Sequence, residues 1–369
     1  MKVVLLHDWL TGFRGGERVL EALCELFPDA PLYTLIHLKG SVPASIENRP
    51  IHTSFLNKIP GIHKHYRKFL PLFPLAAASL KITEDADLII SSSHCVIKGV
   101  KKPMGSIHIS YIHSPMRYLY DQFDNYFGPS APIYQRLGIK FFKNYLINWD
   151  LSSNQNVDFP IANSSFVQKR IEKYYSIDSQ VIHPFVDLKD FKISEGEPLP
   201  PKENFYLMVT AFAPNKKVDL AVKVFNELGL NLKIIGGGQM EGELRLMAKA
   251  NVEFLGKLSR ADVIDHFRRA KGFVFPGVED FGITPLESLA AGTPVIARKI
   301  GGVLETLNDD VCQFFEEDSE EALTIAIEQF EKRTFSREVL VRRAEQFSKQ
   351  KFQEEIKKVI SESVKTSDK

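Results

Sequence analysis

The strongest constraint on this chain's fold is a pattern that its sequence runs through twice: short apolar runs alternate with amphipathic segments of helical period. Strands buried on both faces and joined by crossover helices leave this trace, so a parallel-sheet α/β architecture is expected. In the first part the strand candidates are residues 2–6, 88–90, 107–112 and 159–162. The first ends at His7 and Asp8, passes through a loop holding Gly12, Gly15 and Gly16, and enters a helix over about 17–26. Asn163 and Ser164 follow the last and suit a helix N-cap.

Over 185–204 the periodicity fails, and proline, glycine and charge collect in FVDLKDFKISEGEPLPPKEN, which reads as a linker. The pattern then resumes, with strand candidates at 205–210, 232–235, 252–255, 272–275 and 294–297 and helical stretches at 218–228, 261–270 and 285–291. Two doubly wound, Rossmann-like domains facing across a cleft are expected, 1–184 and 205–345, with ligands bound beyond the carboxyl ends of the strands. The length of 369 residues agrees with two domains at roughly 150 residues each. The tail over 336–364 is helical by pattern, with apolar positions Val339, Val341, Ala344, Phe347, Phe352, Ile356 and Ile360. Residues 346–369 are read as a C-terminal helix packing back toward the first domain; a surface helix pair fits the spacing equally.

Composition excludes several classes. With 44% hydrophobic and 25% charged residues, the chain is not disordered, collagenous or a coiled coil. A net charge of +1 predicts no nucleic-acid partner, although the two parts differ. Residues 1–184 carry 20 Lys plus Arg against 15 Asp plus Glu, and the remainder 27 against 31. Cys24, Cys95 and Cys312 form no C-x-x-C pair, which argues against a disulfide framework or structural zinc and for a reducing compartment. The first apolar run is too short for a signal peptide, and no run of 18 apolar residues occurs.

The densest site signal is FPGVEDFGITPLESLAAGTPVIA, residues 275–297. Pro285 fits a helix only in its first turn, so Glu279 belongs to the preceding loop and Glu287 to the helix itself. Backbone amides around Phe281–Thr284 would then seat an anionic or polyhydroxylated ligand at a helix N-terminus. By spacing alone, an acidic pair serving the helix dipole and a solvated Glu287 is an equal alternative.

This E-x7-E element with DFG after its first Glu, between FVFP and AAGTPVIA, resembles the signature of the family-four retaining glycosyltransferases of GT-B fold. VTAFAPNKKVDLAVKVFNEL, LKIIGGG, VEFLGKLS and GGVLET fall in the order of that family's C-terminal domain; GGERVLEAL, YIHSPMRYLYD and IANSSFVQKRI match its N-terminal one. The resemblance implies a nucleotide-sugar donor on the C-terminal domain. Glu287 would hold the ribose, and Glu279, Phe281, Gly282 and Ile283 the sugar. Gly15 and Gly16 would stand near the donor phosphates and the acceptor, and His113 would contact the transferred sugar. Arg117 and Asp8 are weaker candidates, for acceptor or phosphate contact and for loop capping. Backbone groups around Gly236–Gly238, Gly237 included, and around Gly256, Lys257 and Leu258 would receive the base.

The sequence departs from the family where an Arg is expected five positions before Lys216, since Ala211 stands there. Lys217 would supply the second phosphate cation, or else is a solvated helix-start residue. Asp85-Ala86-Asp87 precedes a strand and reads as turn chemistry, so no metal and no cofactor is expected; the donor is a substrate. Residues 48–83 hold no Asp or Glu but carry Arg49, Lys58, Lys64, Arg67, Lys68 and Lys81 among bulky apolar residues. That mixture suits an anionic membrane surface or a lipid-diphosphate acceptor, or a basic loop packed on the first sheet.

The expected protein is a cytoplasmic hexosyltransferase, held or not at the inner face of the cell membrane, acting on a glycan or lipid-linked acceptor. Its texture is closest to bacterial mannosyltransferases of surface polysaccharide synthesis, with GDP-mannose the first donor and a UDP-hexose the alternative. Rival classes are a nicotinamide oxidoreductase, against which the first glycine loop lacks G-x-G-x-x-G spacing, and a non-catalytic membrane-binding protein.

Overall fold

In the computed structural model, which describes residues 1–121, 123, 133–192 and 198–367, the chain builds two sheets whose strands all pair in parallel. The first comprises β1 (Val3–Leu10), β2 (Leu32–His37), β3 (Ile51–Thr53), β4 (Leu88–Ser93), β5 (Ile107–Ile112), β6 (Phe159–Ala162) and β7 (Gln180–Val181), in the order β3-β2-β1-β4-β5-β6-β7. The second comprises β8 (Tyr206–Ala211), β9 (Leu232–Gly237), β10 (Val252–Gly256), β11 (Gly272–Phe275), β12 (Val295–Arg298) and β13 (Cys312–Phe315), in the order β10-β9-β8-β11-β12-β13. Each sheet reverses its winding once, between β1 and β4 and between β8 and β11, and the carboxyl ends of those strands are where an open α/β sheet offers a ligand crevice. Two compact units result, Met1–His183 with the segment from Phe352 onward, and Pro184–Lys351.

Burial explains the strands. β4 is buried at all of its positions and β1 at all but its first and at Trp9, which is why they read as apolar runs rather than alternations. β1 runs three residues past His7, because Asp8 is absorbed by backbone amides rather than turned to solvent. Lys98 is buried against Asp150 (2.7 Å), whose other oxygen accepts the Tyr120 and Tyr175 hydroxyls at 2.9 Å. This network fixes the helix Ile133–Ser153 to the first unit. β2, β3, β7 and β13 are absent from the sequence reading. β3 and β7 are only three and two residues long, and β2 interrupts its apolar text with Tyr33 and Thr34, both buried.

The segment read as a linker is in good part packed. Phe185, Val186 and Phe191 are buried in the second unit; the Val186 amide donates to the Phe347 carbonyl (3.0 Å), and Asp187 pairs with Lys349 (3.0 Å). Periodicity fails there because the segment is held by a bridge to the tail, not by a regular element; residues 193–197 lie outside the described residues. The tail forms two helices, Arg337–Glu345 and Lys349–Ser367. Leu340 and Ala344 carry the buried face of the first helix, so Val339, expected inside, is exposed. In the second, Phe352, Ile356, Val359 and Ile360 are buried, with the Phe352 ring 5.7 Å from that of Tyr111.

Candidate functional site

In the first unit the ends of β1, β4 and β5 bring together His7, Asp8, Ser92, His94 and His113. The buried Asp8 carboxylate accepts the backbone amides of His94, Cys95, Val96 and Ile97 at 2.7–3.0 Å and lies 3.3 Å from His94 Nδ1. It therefore organises the turn after β4. Ser92 Oγ stands between His7 Nδ1 (3.1 Å) and His113 Nε2 (2.8 Å). The helix Gly15–Leu26 begins against these rings: a Cβ on Gly16 would lie 3.7 Å from both His113 Nε2 and His7 Cε1. Glu17 accepts the Arg14 amide (2.9 Å), closing the helix start. Burial holds His113 well below the usual imidazole range, helped by His94, His7 and Arg117, so it is neutral near pH 7. His94 is lowered too, with burial outweighing Asp8. Arg117 donates to Ser114 Oγ at 3.4 Å, the hydroxyl that Arg170 also reaches at 2.7 Å.

In the second unit the loops after β8, β11 and β12 lie directly on one another. The Val278 amide donates to the Asn215 carbonyl (3.2 Å) and the Gly302 amide to the Glu279 carbonyl (3.0 Å). A Cβ at Gly302 would meet the Asp280 carbonyl oxygen at 2.2 Å, so only glycine permits this contact. These loops bring Lys216 against Glu279 in an ion pair that is mostly buried. Gly282 (φ 91°) opens the helix Ile283–Ala290, which has neither a side-chain cap nor an acid in its first turn. Its amide end is thus left for an anion or for hydroxyl oxygens.

Glu287 is buried within that helix and takes Arg260 Nη1 at 2.8 Å, while Arg260 also reaches Asp190. The two lysine ammonium groups do not converge. Lys217 occupies a left-handed backbone position (φ 53°) at the start of the helix Val218–Leu228 and pairs with Asp318 at 2.7 Å, beside Arg298. Gly237 ends β9, Lys257 is exposed after β10, and Leu258 packs on the core. Gly236 (φ 143°) is required where β9 pairs with β8, since a Cβ there would lie 1.8 Å from the Thr210 carbonyl oxygen. Asp87 accepts the Lys2 amide at 2.6 Å, in keeping with turn chemistry, and no metal-holding cluster occurs among the described residues.

A cavity of about 410 Å³ opens at the other end of the second sheet, lined by Lys202, Arg268, Lys271, Arg333 and Arg337. Its arginines are spent on backbone carbonyls: Arg337 on Ala291, Arg268 on Phe191 and Lys192, Arg333 on Cys312. These cations serve element ends, and the chemistry-bearing groups cluster at the carboxyl ends. Sequence reasoning had singled out His113, Gly15, Gly16, Lys216 and Glu279 but missed His7, Ser92, His94 and Glu17. The polar run SSSH directly after the apolar run 88–90 was the available signal.

Residues 189–347 match the family described as Glycosyl transferases group 1. An uncharacterized glycosyltransferase of Methanocaldococcus jannaschii is 30% identical over 159 residues, 42% of this chain and 44% of that protein. The O-antigen chain mannosyltransferase C of Escherichia coli is 35% identical over 115 residues, 29% of this chain and 31% of its own length. The matched stretches thus span less than half of these relatives. Sucrose-phosphate synthase from Thermosynechococcus elongatus superposes with a TM-score of 0.74 at 16% identity, covering 99% of this chain and 100% of that one. The chain has the GT-B fold, and within it residues 189–347 are similar to the group 1 glycosyltransferases.

Proposed function

We propose that the protein is a retaining hexosyltransferase that moves mannose from GDP-mannose to a hydroxyl of a glycan or lipid-linked acceptor. The observation that carries the reading is the Lys216–Glu279 pair beside the uncapped N-terminus of Ile283–Ala290. Lys216 neutralises the leaving diphosphate, Glu279 with the amides of Phe281, Gly282 and Ile283 receives the sugar, and Glu287 receives the ribose. Of the first unit's residues, His113 suits contact with a sugar hydroxyl, and the Gly15 and Gly16 amides suit anionic oxygen. The anomeric C–O bond to the diphosphate breaks, the acceptor oxygen bonds to the same carbon on the same face, and its proton passes to the released phosphate. Positioning and charge stabilisation suffice, without a protein nucleophile, metal or cofactor. The mannosyltransferase relative supports mannose over a UDP-hexose.

Release of GDP from GDP-mannose, with UDP-glucose, UDP-galactose and NAD in parallel, tests the reading. Lys216→Ala is expected to lower kcat by about 100-fold and Glu279→Ala by a similar order. Turnover of UDP-sugars alone would reassign the donor, and NAD binding without sugar turnover would reject the class.

The acceptor side carries its own observation. Lys64, Arg67 and Lys68 are exposed beside Leu72 (40% exposed) and Leu75 (58%). Arg49 is not part of that face, since its guanidinium holds the carbonyls of Cys24, Phe27, Ala30 and Ser45. This face supports peripheral attachment to an anionic bilayer, and no helix among the described residues is long and apolar enough to cross one. Sedimentation with phosphatidylglycerol vesicles should fall at least tenfold on replacing Lys64, Arg67 and Lys68 with Ser; indifference to lipid charge would remove this part of the reading.

A further inference from the structure

We infer that Glu17, His7 and Ser92 form a relay that sets the tautomer of His113, so that His113 offers a ligand a bare Nδ1, a hydrogen-bond acceptor. Ser92 Oγ touches two imidazoles, His7 Nδ1 at 3.1 Å and His113 Nε2 at 2.8 Å. A hydroxyl has one proton, so it can donate to only one of the two rings, and where it donates to His7 Nδ1 it must accept from His113 Nε2. The direction is set one step further back. His7 Nε2 is buried and without a hydrogen-bond partner, and the nearest charge to it is Glu17 Oε1 at 3.9 Å. That separation is too long for a hydrogen bond, yet a buried carboxylate at that range favours the N–H end of the ring.

Glu17 is pinned by the Arg14 amide, and although burial opposes its ionisation, His7 holds its carboxyl below the usual range. With the proton of His7 on Nε2, its Nδ1 is the acceptor and Ser92 donates to it. The Ser92 lone pairs then face His113 Nε2, which carries its own proton. His113 Nδ1, without a hydrogen-bond partner among the described residues, is left as a lone pair. The surrounding groups do not upset this order. His94 is 6.2 Å from the His113 ring and turned to Asp8, the Tyr111 ring packs edge-on at 5.1 Å, and the Asp8 charge is taken by four backbone amides. His113 is neutral, so its state is a matter of tautomer rather than charge. The group such a nitrogen recognises is a hydroxyl that donates. Only in naming that hydroxyl as the sugar's does the inference rest on the proposed function.

Long-range ¹H–¹⁵N spectra of the histidine-labelled full chain near pH 7.5 read the tautomer, with the His113 signals assigned by their loss in His113→Gln. The expected spectrum shows protonated Nε2 and bare Nδ1 at His113; a protonated Nδ1 overturns the relay. Glu17→Gln is expected to shift His113 toward the other tautomer, and an unchanged spectrum in that variant overturns the part given to Glu17. The wild-type spectrum decides even where a variant fails to fold. No donor enters the measurement, so a chain with the expected tautomer that turns over no nucleotide sugar refutes the proposed transfer and leaves the relay standing.

Discussion

Asp8 shows how differently one residue reads in sequence and in structure. Following His7 at the end of an apolar run, it invites a role in capping the first loop, yet its two oxygens are consumed by four amides of the turn after β4. Asp8→Asn exchanges one of those acceptors for a donor and is expected to cost about 2–3 kcal/mol, read from urea midpoints. His108 is a second buried case. Its Nδ1 donates to the Asn156 carbonyl, its Nε2 meets Ser91 Oγ, and burial lowers its pKa from 6.5 to about 4. The fold requires the neutral ring and the unfolded chain binds the proton first. Its stabilisation is therefore complete above about pH 6.5 and is lost as pH falls toward 4. The amount is roughly 3 kcal/mol at 1.36 kcal/mol per pKa unit. His108→Gln should narrow the difference between urea midpoints at pH 7 and pH 4.5. His94 and His113, also lowered, act in the same direction.

At the scale of elements, the strands buried on both faces were legible, because β1, β4, β11 and β12 write themselves as apolar runs. The helix Ile283–Ala290 was legible through Pro285, which fits only near its start. Short edge strands left too few residues to show a period, and the contacts among the loops left no periodic trace at all. Lys216 beside Glu279 is a case in point: 62 residues separate the two in sequence, and only the stacking of the loops after β8 and β11 joins them. Gly302→Ala tests that stacking directly. The new methyl would overlap the Asp280 carbonyl and the Phe281 Cα at 2.4 Å, so the loop carrying Glu279 must move. A loss of about 2–4 kcal/mol from the second unit is expected by urea denaturation.

For the whole molecule, the informative feature is that the chain passes between units twice, at residues 183–184 and again at 351–352. Ending the chain at Lys351 removes Phe352, Ile356, Val359 and Ile360 from the first unit. At about 1.5–3 kcal/mol per buried side chain this approaches the full stability of a domain. Limited proteolysis of that truncation is expected to digest residues 1–183 while a fragment near 184–351 survives; equal survival of both would contradict it. The same connectivity orders events during synthesis. Residues 1–183 are translated before the second unit, yet their apolar face waits for a helix translated after it. The first unit is thus finished only after the second has been made, and through that interval its uncovered apolar face calls for a chaperone.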